Sequence, residues 1–161
     1  MQLLRFFSIA LIALGLNAGQ VVADEHAHDH GDAHASASAL QLNNGQKWAT
    51  DDSLRQGMSR ILTSFEAESA AISSGKMTPE RYQSLAKKIH TEITWLVTNC
   101  KLDERTDAML HVVLAELIDG ADAMAGRESG VQPHVGALKV RQALDNYAAY
   151  FDHPGWPGVK K

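Results

Sequence analysis

Cys100 is the only cysteine in the 161 residues. No internal disulfide can form, even in an oxidising compartment, and there is no cysteine pair to attach a c-type haem covalently. Stability therefore has to come from a hydrophobic core. Basic residues are also in short supply: 15 Lys and Arg stand against 19 Asp and Glu, a formal net charge of −4 with histidine neutral. Without a basic run the chain lacks the positive face that displaces counterions from phosphates, which excludes polynucleotide binding. There is no nucleophile elbow, no His-Glu-x-x-His motif, no glycine loop for phosphates and no paired Glu-x-x-His runs for a di-metal carboxylate centre. The expectation is a protein that is not an enzyme. No apolar stretch reaches the ~20 residues that span a bilayer.

The first 23 residues decide the compartment. Residues 1–5 carry one positive charge, residues 6–16 form an apolar run broken by Ser8 and Gly15, and Val21-Val22-Ala23 places compact side chains where a signal peptidase reads. This is the pattern of a cleavable secretory signal, too short to anchor the chain in a membrane. A periplasmic protein beginning at Asp24 is expected, with no integral membrane segment after cleavage.

The rest of the chain has helical periodicity. Over residues 51–74, Leu54, Met58, Ile61, Phe65 and Ile72 recur on one face, the last step passing through Glu68. Thr50, Asp51 and Asp52 suit its start and Gly75 its end. A second helix opens at Thr78-Pro79 with Tyr82, Ala86, Ile89, Ile93, Leu96 and Cys100 as its seam. A third starts near Asp103 or Glu104 and carries Leu110, Val113, Leu117, Ala121 and Met124 before Gly126. A fourth starts at Pro133 or His134 and carries Ala137, Val140, Leu144, Tyr147 and Phe151, until Pro154, Gly155, Pro157 and Gly158 forbid continuation. No segment alternates long enough to make a strand. The fold expected is all-α: an up-down-up-down four-helix bundle over residues 40–161, preceded by a disordered His-rich arm at residues 24–39. Leu40, Leu42 and Trp48, around an Asn44-Gly45 turn, are expected to pack on the bundle.

The arm holds Asp24-Glu25-His26-Ala27-His28-Asp29-His30-Gly31-Asp32-Ala33-His34, four of the chain's eight histidines. With cleavage after Ala23, the free amine of Asp24, the amides of Glu25 and His26 and the imidazole of His26 can close a four-nitrogen plane, a geometry that selects Cu(II) or Ni(II). His28, His30 and His34 can supply a second imidazole site, suited to copper, nickel or zinc. The plainer alternative is a solvated spacer that keeps the mature start open. Within the bundle, counting rise from the turn near Leu102 puts His90 and His111 at levels roughly 4 to 5 Å apart. Glu68 falls within about a turn of that level, so the three residues form a candidate divalent site. The competing reading leaves each of them a solvated or hydrogen-bonded side chain.

"LNNGQKWATDDSLRQGMSRI" (residues 42–61), "NCKLDERTDAMLHVVLAELIDGADAM" (residues 99–124) and "YFDHPGW" (residues 150–156) resemble the DnrO-like group of small exported proteobacterial proteins. Members of that group begin with a signal peptide and a histidine-bearing arm, and the resemblance implies that plan together with heavy-metal handling. In architecture the chain is also similar to the periplasmic four-helix b-type cytochromes. That likeness implies haem b held between Met58 and His153, whose Met and His ligation raises the potential. A soft Cu(I) site of Met58, Met109, Cys100 and His153 would use the same end of the bundle. The alternative for all four is core packing. Metal ions are the expected partners, copper foremost. A haem electron carrier and a cofactor-free interaction module docking through Trp48 and Trp156 stand as alternatives.

Overall fold

The computed structural model describes residues 40–160, and over them the chain is helical. Its elements are α1 (Asp52–Glu66), α2 (Ser69–Ser73), α3 (Pro79–Asn99), α4 (Glu104–Met124) and α5 (Pro133–Tyr150). The only β pairing among the described residues is isolated bridges. No helix there is long and apolar enough to cross a membrane.

The helices begin where side-chain chemistry can satisfy free amides. Asp51 accepts from Leu54 N, and its other oxygen accepts from Lys101 N, both at 2.6 Å, so one carboxylate ties the start of α1 to the α3–α4 connection. Thr78 caps α3 ahead of Pro79, and Asp103 caps α4 by accepting from Arg105 N and Thr106 N. α5 starts on Pro133 with no side-chain cap, and proline removes one of the amides that would have needed one. Two helices end in the same way. Gly126 (φ 75) lets Arg127 N reach Asp122 O while its own N–H bonds Ala123 O. At Gly75 (φ 66), Lys76 N reaches Ala71 O and Gly75 N reaches Ile72 O. Both are Schellman endings, in which a left-handed residue satisfies the last carbonyls.

α1 packs on α3, α3 on α4, and α4 on α5, with a lesser contact between α3 and α5. α4 thus lies between neighbours, and it buries Val112 and Leu114 in addition to the expected stripe of Leu110, Val113, Leu117, Ala121 and Met124. The expected seams of α3 and α5 are buried from Tyr82 to Leu96 and from Ala137 to Phe151, whereas Cys100 is half-buried at the α3 terminus. Where α4 crosses α5 the backbones nearly touch. A Cβ on Gly136 would lie 2.5 Å from Gly120 O, and one on Gly120 would lie 2.8 Å from Val140 N.

Two details differ from the sequence reading. The first helix does not run on to Ser74 but breaks at Ala67 and Glu68. Glu68 N bonds Phe65 O at 3.0 Å in a tighter turn, and the Ser69 hydroxyl donates to Glu66 O at 2.9 Å, competing for a carbonyl that a continuous helix would use. The bend still lets Ile72 enter the core at 5% exposure. Leu42, expected as an anchor, is 42% exposed. Asn44 (φ 52) and Gly45 (φ 83) form a hairpin-type turn with both central residues left-handed. Leu40 and Trp48 are buried on either side of it. Trp48 N donates to Tyr150 O and Asp152 N donates to Trp48 O, both at 2.8 Å, fastening this segment along the end of α5.

Candidate functional site

The Schellman ending of α4 builds a polar cluster that joins α4 to α3. Having turned at Gly126, the chain carries Arg127 back beside the last turns of α4, where its Nη1 donates to Asp122 Oδ1 at 2.7 Å. The same oxygen lies 2.9 Å from His90 Nε2 on α3, and Arg127 Nη1 is 3.4 Å from that ring nitrogen. Asp122 thus fixes both the orientation of the imidazole and the position of the guanidinium, as an outer carboxylate does for a working histidine. All three side chains remain partly accessible, His90 at 27% and Arg127 at 64%.

Glu68, His90 and His111 are not brought together as the expected trio. Glu68 sits in the break before α2 and pairs with Arg81. His111 is exposed, its Nδ1 bonded to Asp107 O at 2.9 Å and close to that residue's carboxylate. The partner of His90 on α4 is Asp122, eleven residues beyond His111, or about 16 Å of helix rise. The level count failed because the α3–α4 connection is extended, with ψ 144 at Cys100 and 157 at Asp103, so α4 starts displaced from the end of α3. Among the described residues, no group of three or more His, Cys, Asp or Glu is disposed to hold a metal ion.

Met58 and His153 each have another engagement. Met58 is fully enclosed in the core. His153 Nδ1 lies 2.9 Å from the Tyr147 hydroxyl. Burial pushes the Tyr147 phenol strongly up and keeps it protonated as the donor. The His153 ring also packs edge-on to Tyr147 and tilted against Trp156, with centroids 5.8 and 4.9 Å apart. Burial, and then the Arg55 charge, hold His153 below its ordinary value of 6.5. Burial, followed by Asp51 and Asp107, pushes the Cys100 thiol up to about 11, the behaviour of a small apolar core group and not of a ready thiolate. Met109 lines a separate shallow groove with Trp48 and Arg105.

A further polar pair was not anticipated from the sequence. Asn146, only 8% exposed, donates to Glu116 Oε2 at 2.7 Å and accepts from Gln142 Nε2 at 3.0 Å. Burial raises the Glu116 pKa, Asn146 opposing and Asp119 adding to the shift. The only signals for this pair were polar residues at positions 116 and 146 beside otherwise apolar stripes. Asp24, Glu25, His26, His28, His30 and His34 lie outside the described residues, as do the expected signal and cleavage point. Compared with known proteins, the chain matches no family model, no curated protein and no solved structure.

Proposed function

We propose that this is an exported, periplasmic metal-binding protein that takes up copper through residues 24–34, and that its four long helices form an up-down-up-down bundle serving as the carrier. The observation behind the proposal is Asp24-Glu25-His26 placed directly after Val21-Val22-Ala23, with His28, His30 and His34 following. Once the signal is removed, a free amine, two backbone amides and the third-position imidazole surround one cupric ion in a plane. Nickel satisfies the same plane, and zinc suits the downstream imidazoles. Uptake and delivery are ligand exchange. Acid protonates the imidazoles and releases the ion, because binding needs the neutral ring. No chemical step on a substrate is part of this role.

The helical body supports the reading by how it uses its own histidines. His90 is bonded to Asp122, His111 to Asp107, and His153 to Tyr147, and His134 Nδ1 is 3.5 Å from the Tyr82 hydroxyl. Each contact engages one ring nitrogen, and the run of histidines in the arm is the denser ligand set. The test is intact mass and amino-terminal sequencing of the exported protein, followed by Cu(II) titration beside a His26→Ala variant. A start at Asp24 and one tight equivalent of copper lost in the variant are expected. A different start, or uptake unchanged by the substitution, removes the proposal.

A further inference from the structure

A groove of about 530 Å³ opens between α3 and the chain just beyond α4. That is room for a compact charged group with an organic body attached, within the range of small-molecule sites. Gln83, Lys87, His90, Thr91 and Thr94 line it from α3, and Arg127 from the far side of Gly126. The two threonine hydroxyls donate to their own helix, Thr91 to Lys87 O at 2.9 Å and Thr94 to His90 O at 3.0 Å. The hydrogens left to face a ligand are therefore those of the Lys87 ammonium, the Arg127 guanidinium and the Gln83 amide. No carboxylate is among the lining residues. Lys87 takes part in none of the ion pairs among the described residues.

In a chain of net charge −4, Lys87 and Arg127 put two cations on one concave surface beside the Gln83 amide, with the Asp122 carboxylate bonded to Arg127 at its edge. Arg127 uses Nη1 on Asp122, while a guanidinium carries five N–H groups in a planar fork that matches carboxylate and phosphate oxygens. Asp122 holds His90 and Arg127 in place and also opposes them with its own charge, so it both shapes the site and limits its affinity.

The geometry points to a binding site for a small oxyanion, phosphate or carboxylate, held between Lys87 and Arg127 with His90 on the same wall. This site is independent of the copper arm. It is tested without copper on the full mature chain by ¹H–¹⁵N NMR titration, with inorganic phosphate and citrate as separate probes in chloride buffer. Saturable shifts centred on Lys87, His90 and Arg127 are expected with at least one probe, and the probe that produces them tells phosphate from carboxylate recognition. Arg127→Gln should weaken binding about tenfold, the value of one charge-assisted contact, and Lys87→Gln should weaken it in the same direction. Asp122→Asn, which removes the competing charge, should tighten it. Shifts that never saturate, or saturation indifferent to both Lys87→Gln and Arg127→Gln, overturn the site. Both of those side chains are exposed, so their loss is separable from unfolding.

Discussion

Replacing Gly136 by alanine tests the α4–α5 crossing by the sign of the result. In an unobstructed helix interior the change stabilises by about 1 kcal/mol, because alanine loses less backbone freedom than glycine. Here the new Cβ would lie 2.5 Å from Gly120 O, 2.6 Å from Met124 N and 2.9 Å from Ala123 Cβ, where ordinary contact begins at 3.4 Å. Two of those atoms are backbone and cannot rotate away, so the helices must part by roughly 1 Å, loosening the contacts around the crossing. Overpacking of this kind costs ~1–3 kcal/mol. With the obstruction on backbone, the upper end applies, and subtracting the propensity gain leaves a net loss of about 2 kcal/mol. For a domain of this size that lowers the melting temperature by about 8 °C. Thermal unfolding followed by circular dichroism reads it directly. Gly57→Ala gives the contrast, because the three atoms nearest its Cβ would all belong to the Leu96 side chain, and a smaller loss is expected. Gly120→Ala added to Gly136→Ala should cost less than the sum, since the first substitution already separates the helices. A Gly136→Ala protein as stable as the wild type, or more so, would refute the close crossing.

Asp51→Ala should destabilise by about 2 kcal/mol in chemical denaturation, because it removes the α1 cap and also leaves Lys101 N without its partner; a loss under ~0.5 kcal/mol would mean that the bridge to the α3–α4 connection carries no weight. Cys100, its thiol pushed up to about 11 from 9.0, should react with iodoacetamide at pH 8 on the order of a hundredfold more slowly in the folded chain than in urea, and equal rates would contradict its burial. For His153 the folded pKa lies below 6.5, chiefly through burial, so the unfolded chain takes up the proton first. The stability this contributes is complete above pH 6.5 and is lost as the pH falls through the window beneath it. Melting temperatures measured between pH 7.5 and 5 should fall more steeply in the wild type than in His153→Gln, and parallel profiles would remove His153 as the cause.

The helical segments were legible because burial imposes a 3.6-residue period whatever the partner, and the seam of α5 from Ala137 to Phe151 needed only that rule. Caps were legible for the same local reason: Asp51, Thr78 and Asp103 each satisfy amides within three residues. What periodicity cannot carry is the registration between helices. The extended residues around Cys100 and Asp103 shifted α4 along α3, so His90 met Asp122 and not His111, and a trio inferred from levels came apart. The break at Glu68 was hidden because Ile72 returns to the core whether or not the helix continues. Arg127 was overlooked because its role depends on the turn at Gly126, which sends the side chain back along the helix it has just left. The Asn146–Glu116 pair joins α5 to α4, and nothing in either segment alone names the other.

A shift of register decides whether a free amine two residues before an imidazole makes the copper site. Cu(II) titration, read by calorimetry and visible absorption, compares the chain starting at Asp24 with the same chain carrying one additional glycine before Asp24. Every histidine and carboxylate is kept, but His26 moves from third to fourth position. One tight cupric equivalent is expected in the first protein and its loss in the second, with only weaker imidazole binding left. Equal affinity and equal spectra in the two proteins would contradict it.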